Sequence, residues 1–151
     1  MEKTRVNLGK AAPDLYQGVS GLEKQAKELS AAAGLAEGFT HLLRLRASQI
    51  NQCAYCVRMH TRDAMKSGET SDRISLLAAW RESGYFNEKE RAGLALTEAV
   101  TLINKGQLPD QLYSEISEVL NEKEIAAVEW IAIVINAWNR IAIASRYPVK
   151  P

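Results

Sequence analysis

Cysteine is almost missing from this chain: Cys53 and Cys56 are the whole complement, three positions apart. That excludes the framework of a small secreted scaffold, which spreads several bridges along its length, and leaves redox or metal chemistry in a reducing compartment as the use of a local pair. Histidine is equally scarce, with His41 and His60 alone. Net charge is missing too. Nineteen basic residues against 18 acidic ones give +1, which offers no electrostatic footprint for nucleic acid or for an acidic membrane surface. No glycine-rich phosphate loop of either common type is present, so no nucleotide cofactor is expected. No segment alternates with period two between hairpin turns, which excludes a β-rich fold. The stretch Met1 to Lys10 holds no apolar run long enough for a secretory signal. A cytoplasmic location is the expectation.

What is present is helical punctuation. With 151 residues, 46% of them hydrophobic and 25% charged, the chain fits one domain over 1–151 with one core. After an extended lead-in, Pro13-Asp14 opens a helix whose apolar residues Leu15, Tyr16, Val19, Leu22, Ala26 and Leu29 recur at helical spacing up to Gly34. Phe39 to Ala47 forms a second helix, and the cysteine motif opens a third that ends near Gly68. Thr70-Ser-Asp72 caps a helix through Trp80. Asn87-Glu-Lys-Glu90 has the form of a capping box and opens a helix that continues through Leu94, Leu96, Val100 and Ile103 to Asn104-Lys-Gly106; Asn121-Glu-Lys-Glu124 repeats the box letter for letter, and a shorter helix after Pro109 lies between. The last helix, about Ile125 to Ser145, is apolar almost all round and approaches membrane-spanning length, about 20 residues. Glu129, Asn136, Asn139 and Arg140 within it argue against a span, because each would need a partner in lipid. A helix buried on every side in so short a chain is either the core helix or one covered by another subunit. The expected fold is all-α, six to eight helices in one domain, as a homo-oligomer.

The chemistry concentrates in Ser48-Gln-Ile-Asn-Gln-Cys53-Ala-Tyr-Cys56-Val-Arg-Met-His60. At about 100° per residue, Cys53 and Cys56 project about 60° apart on a helix, and His60 falls between them. Early helix positions stabilise a thiolate through the unpaired amides and the positive end of the dipole, and the thiolate is the reactive species. Attack on a peroxide gives a sulfenic acid that the second cysteine converts to a disulfide, with His60 as the nearest proton donor. Two other readings stay open on the residues alone. The cysteines can be small buried hydrophobes, or Cys53, Cys56, His60 and His41 can form a Cys2His2 zinc set, although the spacing departs from the usual knuckle. A covalent haem site is excluded, since Val57 stands where its histidine belongs. Tyr55 is a site residue or a helix surface position, Arg58 reads as a solvated position, and Trp80, Trp130 and Trp138 read as core or interface.

Leu45-Arg-Ala-Ser-Gln-Ile-Asn51 leading into the motif, then Thr61-Arg-Asp-Ala64, Leu77-Ala-Ala-Trp80 and Ile135-Asn-Ala-Trp-Asn-Arg140, resembles the carboxymuconolactone decarboxylase superfamily in its alkylhydroperoxidase D-like branch. The resemblance runs from about Leu42 to Arg146. It implies an all-helical trimer or hexamer that reduces hydroperoxides, with Cys56 as the peroxide-attacking cysteine, Cys53 as the resolving one and His60 in the proton relay; no cofactor and no metal is expected. It also implies a dithiol electron donor such as a lipoyl-bearing protein. Two positions depart from the family pattern. His41 stands where the relay glutamate is expected, with Glu37 one turn earlier, and Tyr55 stands where a histidine separates the cysteines. The alternatives are a lactone decarboxylase, in which the cysteine pair would be idle, and a zinc-binding or redox-sensing thiol protein without turnover.

Overall fold

In the computed structural model, which describes residues 3–151, several start signals of the sequence are met by a capping hydrogen bond, at Thr70, Asn87 and Asn121. Eight α-helices and two 3-10 segments follow one another with no strand among the described residues. They are α1 (Leu8–Ala11), α2 (Pro13–Ala32), α3 (Glu37–Ile50), α4 (Ala54–Lys66), α5 (Ser71–Leu76), α6 (Glu88–Thr101), α7 (Asp110–Val119) and α8 (Glu122–Ala144). Both Asn-Glu-Lys-Glu tetrapeptides form complete capping boxes: Asn87 and Asn121 accept from the backbone of Glu90 and Glu124, whose carboxylates accept from the asparagine N–H groups in return.

Three local expectations are corrected. The lead-in is not extended throughout, because Asn7 caps the short α1 and the Leu8 N–H reaches Ser145 Oγ at 3.1 Å, tying the two ends of the chain together. The helix expected to run through Trp80 stops at Leu76 and continues as a 3-10 segment, Leu77–Glu82, with Ala79 out of helical geometry. The cause is the pull of one side chain, since the Arg91 guanidinium donates to the carbonyls of Trp80, Arg81 and Ser83. Third, the α6 helix ends at Thr101, and a separate 3-10 turn carries Ile103 to Lys105 before Gly106 reverses the chain at φ 124°.

The core lies where α3, α6 and α8 meet, with Leu42, Leu43, Leu45, Leu94, Leu96, Val128 and Ile131 buried. Helix α8 is the hub, packed against α2, α3 and α6. It is long and apolar enough to cross a membrane, yet half of its most apolar window is buried inside the protein. Its polar residues are spoken for. Asn51 Nδ2 donates to both Asn136 Oδ1 and Asn139 Oδ1 at 2.8 Å, and the fully buried Asn139 donates to Ser48 Oγ at 3.0 Å. Burial is not complete on every side, however: Trp130, Ile133 and Ile143 form an exposed apolar edge of α8.

Candidate active site

Four helices of this fold end in the same way, with a residue of left-handed backbone that lets the chain fold back onto its own carbonyls. After α2 and α4 that residue is Gly34 or Gly68. After α3 and α8 it is Gln52 (φ 56°) or Arg146 (φ 52°), side chains that pay a steric penalty glycine avoids. The two costly turns deliver Cys53 and Tyr147 respectively, through Cys53 N–H to Ser48 O and Tyr147 N–H to Ala142 O, each 3.0 Å. The asparagine bonds from α8 hold the first of these turns in place, so the apolar hub helix positions the cysteines.

Cys53 is the N-cap of α4 rather than a residue within it, and its sulfur accepts from the Cys56 N–H at 3.4 Å. The two cysteines are joined as a disulfide, with Cα atoms 5.3 Å apart. Closure of that bond removes both sulfurs from any Cys2His2 metal set in this state. The two sulfurs are not equivalent in access. Both cysteines are almost fully buried, but Cys56 lines a cleft of about 300 Å³ and Cys53 does not.

His60, one turn after Cys56, lines the same cleft, and so does His41 from α3. Their Nδ1 atoms are 3.4 Å apart and the rings lie nearly parallel, at 30°. His41 thus occupies the place beside His60 that the sequence left in question. Burial lowers the His60 pKa to about 3, with Arg44 and then His41 adding to the effect. Burial also lowers His41, again with Arg44 next in weight. With the disulfide closed, both imidazoles are therefore neutral at pH 7, and His60 has no proton to give. A Cys56 thiolate, formed on reduction, would raise both values, because a nearby negative charge favours the imidazolium.

The sequence did not point to Asp63, which joins the histidines so that one ligand atom from each of the three residues lies within 4.8 Å of the others. Its signal was the i, i+3 spacing from His60 on one helix. Nor did it point to Tyr16, Lys27 or Tyr147, which complete the cleft, while Trp138, expected in the core or an interface, lies on its wall against Tyr16 at 5.1 Å. Tyr55 lines the cleft and meets Tyr147 edge to face at 5.1 Å. Arg58 points away and donates to Lys150 O. Glu37 approaches the outer edge of His41, 4.0 Å from Nε2, and does not line the cleft that holds Cys56. Arg44 is buried beneath the histidines, bonded to Thr40 and 3.2 Å from Glu23, close enough to pair but out of line for a hydrogen bond; its Nε has no partner.

Residues 13–99 match the Carboxymuconolactone decarboxylase family. The chain is 39% identical over 140 residues to the uncharacterized protein YdfG of Bacillus subtilis (strain 168), covering 93% of this chain and 92% of that one. Its backbone is similar, with a TM-score of 0.87 and 38% identity, to the crystal structure of an Agrobacterium tumefaciens protein of unknown function described as a candidate antioxidant defence protein, AhpD. That likeness covers 98% of this chain and 100% of the other. Motif, helix order and full-length similarity lead to one conclusion: the chain belongs to the carboxymuconolactone decarboxylase family and has the AhpD-like fold.

Proposed function

We propose that the protein is a thiol peroxidase, reducing organic hydroperoxides with Cys56 as the attacking sulfur and Cys53 as the resolving one. One observation carries the reading: a disulfide across the first turn of a helix, of which only the Cys56 side opens on a cleft that also holds two histidines.

In the reduced enzyme the Cys56 thiol passes its proton to His60, beside which His41 stands with the two Nδ1 atoms 3.4 Å apart. The thiolate is stabilised by the N-terminal amides of α4. It attacks the distal oxygen of ROOH: the S–O bond forms, the O–O bond breaks, and the departing alkoxide takes the relay proton to leave as ROH. Cys56 is then a sulfenic acid. Cys53 attacks its sulfur, the disulfide forms and water leaves. A dithiol donor reopens the pair by exchange and departs as its own disulfide. Tyr16, Tyr55, Met59, Trp138 and Tyr147 give the cleft an apolar, aromatic wall, which favours an organic hydroperoxide over hydrogen peroxide. A small dithiol of lipoyl type fits the same opening. In a lactone decarboxylase, by contrast, the best-built feature of the site would be idle.

The test is turnover of an organic hydroperoxide with a dihydrolipoyl-type dithiol. Cys56→Ser abolishes it; full activity in both single cysteine variants would refute the mechanism. The exposed Trp130, Ile133 and Ile143 edge of α8 fits a homo-oligomer, trimer or hexamer, whose mass light scattering reads directly. A cytoplasmic location agrees with a disulfide that must be reopened in each cycle.

A further inference from the structure

The two histidines are poorly placed for each other and well placed for a third atom. Their Nδ1 atoms, 3.4 Å apart, lie beyond the usual range for a nitrogen donor, about 2.7–3.2 Å. Two nitrogens bound tetrahedrally to one zinc ion at about 2.0–2.1 Å are separated by the tetrahedral edge, about 3.3–3.4 Å. The observed gap is that edge. We infer that His41, His60 and Asp63 form a binding site for a single zinc-class divalent cation, with the remaining coordination position open to the cleft in front of Cys56.

The ligand set is two neutral imidazoles and one carboxylate, the chemistry that first-row cations such as zinc prefer over magnesium or calcium. Two of the three ligands come from one face of α4, at i and i+3, and the third from α3, so rigid helices hold the geometry. Asp63 is half-buried, and a short rotation brings its oxygen in from the 4.8 Å limit. His41 turns Nδ1 inward and leaves Nε2 4.0 Å from the exposed Glu37 carboxylate, within reach of a side-chain rotation but not hydrogen-bonded to it. Lys27 and Arg44 bring positive charge to the neighbourhood, which works against a cation, and Glu23, Glu37 and Asp63 offset part of it. The site uses no cysteine, so it exists with the disulfide closed; this separates it from a thiolate zinc knuckle. One consequence rests on the peroxidase reading: a bound cation occupies the lone pairs through which the relay moves its proton, so zinc would inhibit turnover.

Equilibrium dialysis of the disulfide-intact protein against zinc chloride tests the site without any peroxide. The expected result is one zinc per chain, no retention of magnesium, and a loss of affinity of at least about tenfold in His41→Gln and in Asp63→Asn. Cobalt substitution supplies a second readout, an intense visible spectrum from a four-coordinate ion that Asp63→Asn weakens. The variant lacking both cysteines must still bind. Absence of zinc from the wild-type protein, undiminished binding in folded His41→Gln, or dependence on the cysteines would each overturn the site. Peroxide turnover that failed while zinc bound would sink the peroxidase reading and leave the site standing.

Discussion

Helix α3 carries two buried polar clusters on different sides, and they are built on opposite principles. On one side Glu98 of α6 is saturated: Arg46 Nε donates to it at 2.8 Å, Trp80 Nε1 at 2.9 Å and Arg81 Nη1 at 2.6 Å. On the other side His41 and His60 face each other across a gap too wide for a good hydrogen bond, Arg44 Nε has no partner, and a cleft opens in front. The first cluster spends its polarity on holding α3, α6 and the 3-10 segment after α5 together. The second leaves polarity unspent. Unspent buried polarity is costly in a stable fold, and it concentrates where a ligand or a reaction makes use of it.

The sharpest way to break this contrast is to exchange the consequences of damaging each side. His60→Gln should cut hydroperoxide turnover by about 10²- to 10⁴-fold, the usual loss when a general acid–base group is removed, while changing the melting temperature less than the Glu98 variant does. Glu98→Ala should do the reverse. It strands Arg46 and Trp80 without their acceptor and should cost about 3 kcal/mol in chemical denaturation, leaving kcat of the folded enzyme near wild type. If Glu98→Ala lost activity while keeping its stability, the division of labour would be wrong.

Acid stability sharpens the comparison further. A buried histidine kept neutral when folded takes up a proton on unfolding, so its cost grows as pH falls from about 6.5 in the unfolded chain towards the folded value of about 3 for His60. Glu98 behaves differently. Burial pushes its pKa up, but the hydrogen bonds from Arg46, Trp80 and Arg81 outweigh burial and hold it below the ordinary value. Its contribution is complete above about pH 4.3 and is lost as pH falls through the lower folded value. Melting curves in the presence of a chelator should therefore decline in two stages. His60→Gln should make the decline from about pH 6.5 downwards shallower, with His41 supplying the rest of it, whereas Glu98→Gln should change the profile only below about pH 4.3; identical profiles for the two variants would rule out this division.

The smallest expected effect concerns the turn that presents Cys53. Gln52→Gly relieves a left-handed side chain at the price of unfolded-state freedom, and should raise stability by up to about 1 kcal/mol. A measured loss of stability would mean that the Gln52 side chain holds the turn through a contact of its own.

Much of this was legible in the sequence, for physical reasons that differ from place to place. Capping boxes at Asn87 and Asn121 and the glycine after α2 are local devices, and local devices announce themselves within four residues. The cysteine pair and His60 lie within eight residues of one helix start, so their common side could be read from helical geometry, although Cys53 proved to cap the helix instead of lying in it. What spacing did not reveal was set by tertiary contact. His41 meets His60 across two helices, Ala79 is bent by an arginine twelve positions on, and Tyr16 and Tyr147 reach the cleft from opposite ends of the chain. Asn136 and Asn139 counted in the sequence as arguments against a membrane span. Their use, bonding the hub helix to the turn before Cys53, needed the fold to be seen.

The central claim is that Cys56 meets the peroxide and Cys53 resolves the product. Its most direct test is a single exposure of reduced Cys53→Ser protein to one equivalent of an organic hydroperoxide, followed by a sulfenic-acid trap and peptide mass mapping. The expected result is the adduct on Cys56 in near-stoichiometric yield, with the parallel Cys56→Ser protein unlabelled at Cys53. An adduct on Cys53 in the Cys56→Ser protein, or none on Cys56 in the Cys53→Ser protein, would contradict it.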